Sequence, residues 1–170
     1  MTAVVLETDR LVVREFDDEH LDDFAALCAD AEVMRYVGDG TTLARPEVAR
    51  WIEVCKDRYR TRGYGTSAVF ERDAGRFIGY CGVVRAIGND FDELIYVFHR
   101  DAWGRGYATE VGAAMLAHVF ARSQLDRIWA TIDAENEPSL QVAAKLGFER
   151  DRVEIEDGVP VAYLVIDRPA

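Results

Sequence analysis

Hydrophobic and polar positions change period several times along the chain, and each change marks an element. Leu11-Val12-Val13-Arg14-Glu15-Phe16 reads as a first strand. Leu21, Phe24, Ala25, Leu27 and Cys28 then recur at helical spacing, with Asp17 or Asp18 as the cap. A second helix starts near Pro46, carries Val48, Trp51, Ile52 and Cys55 on one face, and ends before Gly63. Ser67–Phe70 and Phe77–Val84 are strands joined across Arg72-Asp73-Ala74-Gly75, a hairpin signal. Gly79 and Gly82 inside the second of these point to bends or to close backbone approach. Phe91–Phe98 is the next strand. After a Gly-rich turn, a helix places Ala108, Val111, Gly112, Met115, Leu116 and Val119 on one stripe. Arg127–Asp133 is a strand parallel to its predecessor or one strand away from it. Asn136 caps a short helix to Leu146, which Gly147 and Phe148 end. Two strands, near Phe148–Ile155 and Val159–Ile166, close the chain around Glu156-Asp157-Gly158. The order is βααβββαβαββ. This is an α/β chain with one mixed sheet, antiparallel first and partly parallel around the Gly-rich turn.

With 170 residues, 49% of them hydrophobic, such a chain can remove about 70% of its unfolded surface from water. It has no linker, low-complexity tract or internal repeat, so residues 1–170 are read as one domain. No leader-like or membrane-spanning apolar run is visible. Cys28, Cys55 and Cys81 are odd in number and widely spaced, which reads as buried thiols of a cytoplasmic protein. His20, His99 and His118 are scattered, and no metal is expected. The net charge of −11 argues against nucleic acid as a partner. It favours a cationic substrate, although solubility alone accounts for the same charge. Nothing in the sequence argues against a homodimer.

The chemistry concentrates in Trp103-Gly104-Arg105-Gly106-Tyr107-Ala108-Thr109-Glu110, between a strand and an amphipathic helix. Small residues at 104, 106 and 108 let a phosphate approach the backbone, where free N–H groups and the helix dipole favour negative charge. A nucleoside triphosphatase loop requires G-x-x-x-x-G-K-[ST], which is absent. A dinucleotide turn requires G-x-G-x-x-G/A with an acid about 20 residues on; Asp133 imitates the acid, but Thr109 stands where the third small residue belongs. The pyrophosphate of coenzyme A is the third candidate.

The run Trp103 to Ala108 resembles the [QR]-x-x-G-x-[GA] loop of the GNAT acetyltransferases, with Trp103 departing from the usual first residue. The W-G-x-G-Y-A-T-E wording is similar to the RimJ/RimL-type branch. Thr8-Asp9-Arg10-Leu11-Val12-Val13-Arg14 resembles that branch's T-[DE]-R-L-x-x-R opening. Asn136-Glu137-Pro138-Ser139 with Lys145-Leu146-Gly147-Phe148 resembles its N-x-x-S…K-x-G-F segment. The resemblance spans roughly residues 7 to 165.

It implies an acetyl-CoA-dependent N-acetyltransferase of the GNAT fold, with acetyl-CoA as cosubstrate, no metal, and an amine as acceptor. Trp103, Gly104, Arg105, Gly106, Tyr107, Ala108 and Thr109 would hold the coenzyme, with backbone of Val97 and Phe98 along the pantetheine and Phe98 N–H as oxyanion donor. Asn136 would contact the pantetheine, or serve as a plain N-cap. Arg100, Arg105 and Lys145 would supply positive charge. Ser139 would protonate the leaving thiolate, or bond its own helix backbone. Glu93 would be the general base, or a solvated strand end. Val33–Thr42 and Glu154–Val161 are the expected acceptor walls, with Met34, Tyr36 and Val37 lining an apolar pocket and Asp90, Asp92, Glu93, Glu154, Glu156 and Asp157 making the mouth acidic. A non-catalytic acyl-CoA-binding domain of the same fold is the alternative.

Overall fold

The chain runs through β1 (Val4–Glu7), β2 (Leu11–Glu15), α1 (Leu21–Cys28), α2 (Ala31–Met34), α3 (Arg45–Arg62), β3 (Thr66–Glu71), β4 (Phe77–Arg85), β5 (Asp92–Phe98), α4 (Tyr107–Arg122), β6 (Arg127–Asp133), α5 (Glu137–Leu146), β7 (Glu149–Glu156) and β8 (Val159–Asp167). This is a computed structural model that describes residues 1–170. Every element that the periodicity predicts is present, with ends displaced by a residue or so. Two elements are additional. β1 is four residues long and pairs only with β2, so it is too short to show a period. α2 is a single turn, started by the Asp30 carboxylate accepting from Glu32 N–H at 3.0 Å.

The strands form one eight-stranded sheet in the order β1-β2-β3-β4-β5-β6-β8-β7. All neighbours are antiparallel except β5 and β6. Alternation along the strands divides the apolar side chains into two cores. One, of 23 buried residues, lies on the side that carries α4 and α5; the other, of 12, lies under α1 and α3. In β5, Leu94 and Phe98 join the first core, while Ile95 and Val97 pack against the second. Val111, Met115, Leu116 and Val119 of α4 are all buried. At about 1.5–3 kcal/mol for each fully buried apolar side chain, this stripe anchors α4, and with it the turn at its start.

The parallel pair is where the sheet opens. β5 and β6 share one register pair, Glu93 with Trp129 near their N-terminal ends, and no further bridge toward their carboxyl ends. The strands therefore splay toward Phe98 and Asp133, where the Gly-rich turn and the start of α5 lie. A crevice beyond the carboxyl ends of parallel strands is the expected place for a ligand in a sheet of this kind. The close approach predicted at Gly79 is present on the other edge of β5. A Cβ there would lie 2.0 Å from Val97 O and 2.8 Å from Phe98 Cα.

Candidate active site

Gly104 and Gly106 both adopt left-handed backbone, with φ of +70° and +79°. A Cβ at Gly104 would meet nothing within 4 Å, and one at Gly106 only Arg10 Nη2 at 3.5 Å. Within the protein, then, these glycines are required for conformation rather than for space. Gly106 is the N-cap of α4 and has no side chain to satisfy the first turn. The N–H groups of Gly104, Arg105, Gly106, Tyr107, Ala108 and Thr109 donate to no group of the protein, and the first ladder bond runs from Glu110 N–H to Gly106 O at 3.1 Å. Six consecutive free donors at the positive end of a 16-residue helix form an anion cradle.

Several side chains of the motif serve the scaffold. Tyr107 is buried and donates its hydroxyl to Glu71 Oε1 at 3.1 Å. Arg105 is turned away from the cradle toward the same carboxylate, at 2.9 Å. Trp103 is 50% exposed, and its indole N–H donates to Phe98 O at 2.8 Å. The expectation of free positive side chains is corrected further by Arg100, which pairs with Asp30 at 2.9 Å. Lys145 alone of the three forms no ion pair; it is exposed in the last turn of α5.

Sequence reasoning missed what holds the cradle. Glu110, in the first turn of α4, accepts from Thr8 Oγ1 at 2.6 Å and from Arg10 N–H at 3.0 Å on one oxygen. On the other it accepts from Arg10 Nε at 2.7 Å and pairs with Arg10 Nη2 at 2.6 Å. Arg10 Nη1 donates to Arg105 O at 2.9 Å, and the guanidinium lies 4.5 Å from the Tyr107 ring centre. The signal was in the sequence: Thr8-Asp9-Arg10 and the Glu110 ending the Gly-rich motif were each singled out, about a hundred residues apart, with no reason to pair them.

The ladder of β5 decides which of its amides are available. Ala86 N–H bonds to Phe91 O at 3.0 Å and His99 N–H to Ile78 O at 2.9 Å, with no register shift between these points. The β4 ladder therefore uses the amides of Phe91, Glu93, Ile95, Val97 and His99, and those of Leu94, Tyr96 and Phe98 face the opposite edge. Val97 thus directs its N–H and C=O to Tyr80 on β4, away from the splay. Phe98 directs its own into the splay, where the carbonyl is held by Trp103 and the N–H is free.

Asn136 caps α5, its side-chain oxygen accepting from Ser139 N–H at 3.4 Å. Ser139 is half-buried; its hydroxyl makes no bond to its own helix and lies beside the Tyr96 hydroxyl, with which it shares a hydrogen bond. Tyr96, projecting from β5 on the α4 side, places its hydroxyl 3.4 Å from Ser139 O across the splay, and burial pushes that phenol up to about 12. Glu93 projects from the opposite face. It accepts a 2.5 Å hydrogen bond from Thr131 Oγ1, and burial holds its carboxyl above the ordinary range. Glu93 and Ser139 thus stand on opposite sides of the sheet, and the splay connects the two sides.

The acceptor walls differ from expectation. Met34 is buried in the second core, and Val37 is half-buried against it. Tyr36 is partly exposed and reaches to 3.5 Å from Glu135 O, in the loop before α5. Asp92 is 1% exposed and lies between Arg62 at 2.7 Å and Arg85 at 3.4 Å; Asp90 also pairs with Arg85. Glu154 pairs with Arg152, and Glu156 accepts the Tyr163 hydroxyl. On the open face near Glu93, the Phe91 ring lies tilted 5.0 Å from that of Trp129, and Arg152 covers Tyr163 at 4.2 Å. Of these carboxylates Glu93, Glu156 and Asp157 pair with no cation, and the charge of Glu156 adds to the burial that raises the Glu93 carboxyl.

Comparison with known proteins agrees with this architecture. Residues 10–149 match the model of the acetyltransferase (GNAT) domain. The uncharacterized protein YkkB of Bacillus subtilis (strain 168) is 32% identical over 162 residues, 92% of each chain. A structure of RimL, a ribosomal L7/L12 α-N-protein acetyltransferase in complex with coenzyme A, superposes with a TM-score of 0.83 at 15% identity, over 97% of this chain and 98% of that one. Spermidine N-acetyltransferase from Vibrio cholerae, in complex with CoA and spermine, gives 0.80 at 15% identity, over 95% and 97%. With the domain model matched over most of its length, and a free-amide cradle at the mouth of a splayed parallel pair, the chain belongs to the GNAT acetyltransferase family.

Proposed function

We propose that the protein is an acetyl-CoA-dependent N-acetyltransferase of the RimJ/RimL-like branch. It moves the acetyl group to a primary amine by direct transfer, with both substrates bound at once. The observation that carries this reading is the run of six free N–H groups at the start of α4, beside a splay whose edge offers the free Phe98 N–H. RimL and the spermidine enzyme, similar in fold, both hold coenzyme A.

In this reading the N–H groups of Gly104 to Thr109 hold the diphosphate, and the pantetheine lies along the free edge of β5 toward Asn136. The amine nitrogen attacks the thioester carbonyl carbon from the Glu93 side. Phe98 N–H donates to the oxyanion as charge grows on it. The attacking nitrogen, cationic in the tetrahedral adduct, loses a proton to water or Glu93; as the C–S bond breaks, the departing thiolate takes a proton from the Ser139 hydroxyl, which recovers one from solvent. Glu93 is five residues from Phe98, roughly 16 Å along an extended strand, so its proton traffic runs through water. Neutralising an N-terminal amine at pH 7 costs about 1 kcal/mol, whereas a lysine-type amine costs nearly 5; a water relay serves the first more readily. The acceptor is a protein N-terminus, an amino acid or a small amine, drawn as a cation to Glu93 and Glu156. The buried free thiols fit a cytoplasmic setting.

The test has two parts. Calorimetry should give coenzyme A binding and none for NAD. Thiol release from acetyl-CoA should then rise above background with at least one member of an amine panel spanning polyamines, amino acids and peptides. Binding without release across the panel would favour the non-catalytic alternative, and no binding would overturn the reading altogether.

A further inference from the structure

Glu110 poses a problem for the cradle. A carboxylate in the first turn of an anion-binding helix repels the ligand that the turn is built to receive. Its environment answers the problem. Desolvation pushes the Glu110 carboxyl up, but hydrogen bonds from Thr8 and from Arg10 outweigh it and hold the group below its ordinary range. It is therefore charged, and Arg10 neutralises it with a two-pronged contact. The third prong of the same guanidinium takes Arg105 O at 2.9 Å. That carbonyl belongs to the peptide whose N–H is that of Gly106. In a trans peptide the C=O and the N–H point in opposite directions. Pinning Arg105 O toward Arg10 therefore aims the Gly106 N–H away from it, toward the mouth of the cradle.

We infer that Arg10 and Glu110, with Thr8 behind them, form a positioning clamp that orients the Gly106 amide toward the coenzyme's diphosphate and cancels the one negative charge in the turn. Neither residue touches the reacting atoms. The clamp also gives a reason for two distant motifs to occur together, since the strand-opening Thr-Asp-Arg supplies the partner that the helix-opening Glu requires. The inference rests on the coenzyme reading given above and deepens it.

The pair predicts a definite pattern of variants. Arg10→Met frees the peptide and leaves Glu110 unpaired, so coenzyme A affinity should fall at least tenfold. Arg10→Lys keeps the charge, but one ammonium cannot reproduce the planar fork, so most of the loss should remain. Glu110→Gln should weaken binding less than Arg10→Met. Adding Glu110→Gln to Arg10→Met should recover part of the affinity, because it removes the unpaired carboxylate. Calorimetric titration of wild type and variants with coenzyme A reads all four, with thermal melts to confirm that each folds. A variant that does not melt cooperatively is replaced by Thr8→Val, which loosens Glu110 while leaving both charges and should weaken binding by a smaller factor. A second readout separates positioning from general damage. With S-acetylpantetheine, which lacks the diphosphate, Arg10→Met should leave kcat/KM unchanged, while kcat/KM for acetyl-CoA falls. If wild type binds coenzyme A and folded Arg10→Met binds it within threefold, the clamp is overturned and the coenzyme reading stands. Equal losses for the two acetyl donors would also overturn the clamp. If wild type does not bind coenzyme A, both fall.

Discussion

Two side chains on opposite faces of the sheet carry predictions of opposite kinds. If Ser139 is the general acid, as proposed, Ser139→Ala should lower kcat by about 10²–10⁴-fold and leave coenzyme affinity unchanged, because its contribution arises in the transition state. A loss under threefold would assign it to structure alone. Glu93 is held protonated more readily than an ordinary glutamate by its burial. The native state therefore binds this proton more tightly than the unfolded chain does. Stability is lost as pH rises from the ordinary glutamate value through the raised one. At pH 7 the buried charge is a cost, and Glu93→Gln, which can still accept from Thr131, should leave the midpoint of denaturation unchanged or raised. In the wild type, kcat/KM for the acceptor should fall on the acid side with a midpoint above the usual carboxylate range; in the Gln variant that limb should vanish. A limb that persists would place the base elsewhere. The residue types at these positions were legible in the sequence, and the fold leaves the Phe98 amide without a partner. What was not legible was charge pairing: Arg105, Arg100, Asp92 and Glu154 look free along the chain and are each matched in the fold.

At the scale of elements, periodicity served long segments and failed short ones. The α4 stripe and the β5 alternation stand out because each repeats several times. β1 and α2 are four residues each, fewer than is needed to tell a period from chance, and both depend on neighbours: β1 on pairing with β2, α2 on the Asp30 cap. Ladder parity is a property of pairing and not of composition, which is why Val97 and Phe98 look equivalent in the sequence and face opposite edges in the sheet. The tight seam between β4 and β5 allows a test of how far the site depends on this register. Gly79→Ala would place a methyl against Val97 O and Phe98 Cα, backbone atoms that cannot rotate away. Overpacking of this kind costs about 1–3 kcal/mol, so the denaturation midpoint should fall. Because the displaced atoms belong to Phe98, the proposed oxyanion donor, kcat should fall as well in protein that is still folded. A variant with lowered stability and unchanged kcat would show that the end of β5 does not contribute to the chemistry.

At the scale of the whole molecule, the net charge of −11 acts differently on the two substrates. Coenzyme A is an anion and must approach an anionic protein. Of the cations expected to meet it, Arg105 and Arg100 are paired, Arg10 is neutralised by Glu110, and Lys145 forms no ion pair. In the proposed reading the diphosphate is received by a set of backbone dipoles, whose field is short in range and weakly screened. A cationic acceptor, as proposed, meets the reverse situation, with Glu93, Glu156 and Asp157 lacking a cation and a long-range attraction from the molecule as a whole. Exposed charges are screened beyond about 10 Å at 0.1 M salt, and far less in dilute buffer, where the screening length is about 30 Å at 0.01 M. The two substrates should therefore respond to salt with opposite sign. Between these concentrations, coenzyme A affinity should hold steady or tighten as the general repulsion is screened, while kcat/KM for a cationic acceptor falls at saturating coenzyme. Calorimetry for the first and steady-state rates for the second supply the comparison. Coenzyme binding that weakens steeply with salt would mean that side-chain cations, not amides, hold the diphosphate. An acceptor response that stays flat would mean that the acidity serves solubility, and that the amine is recognised by shape at the mouth of the splay.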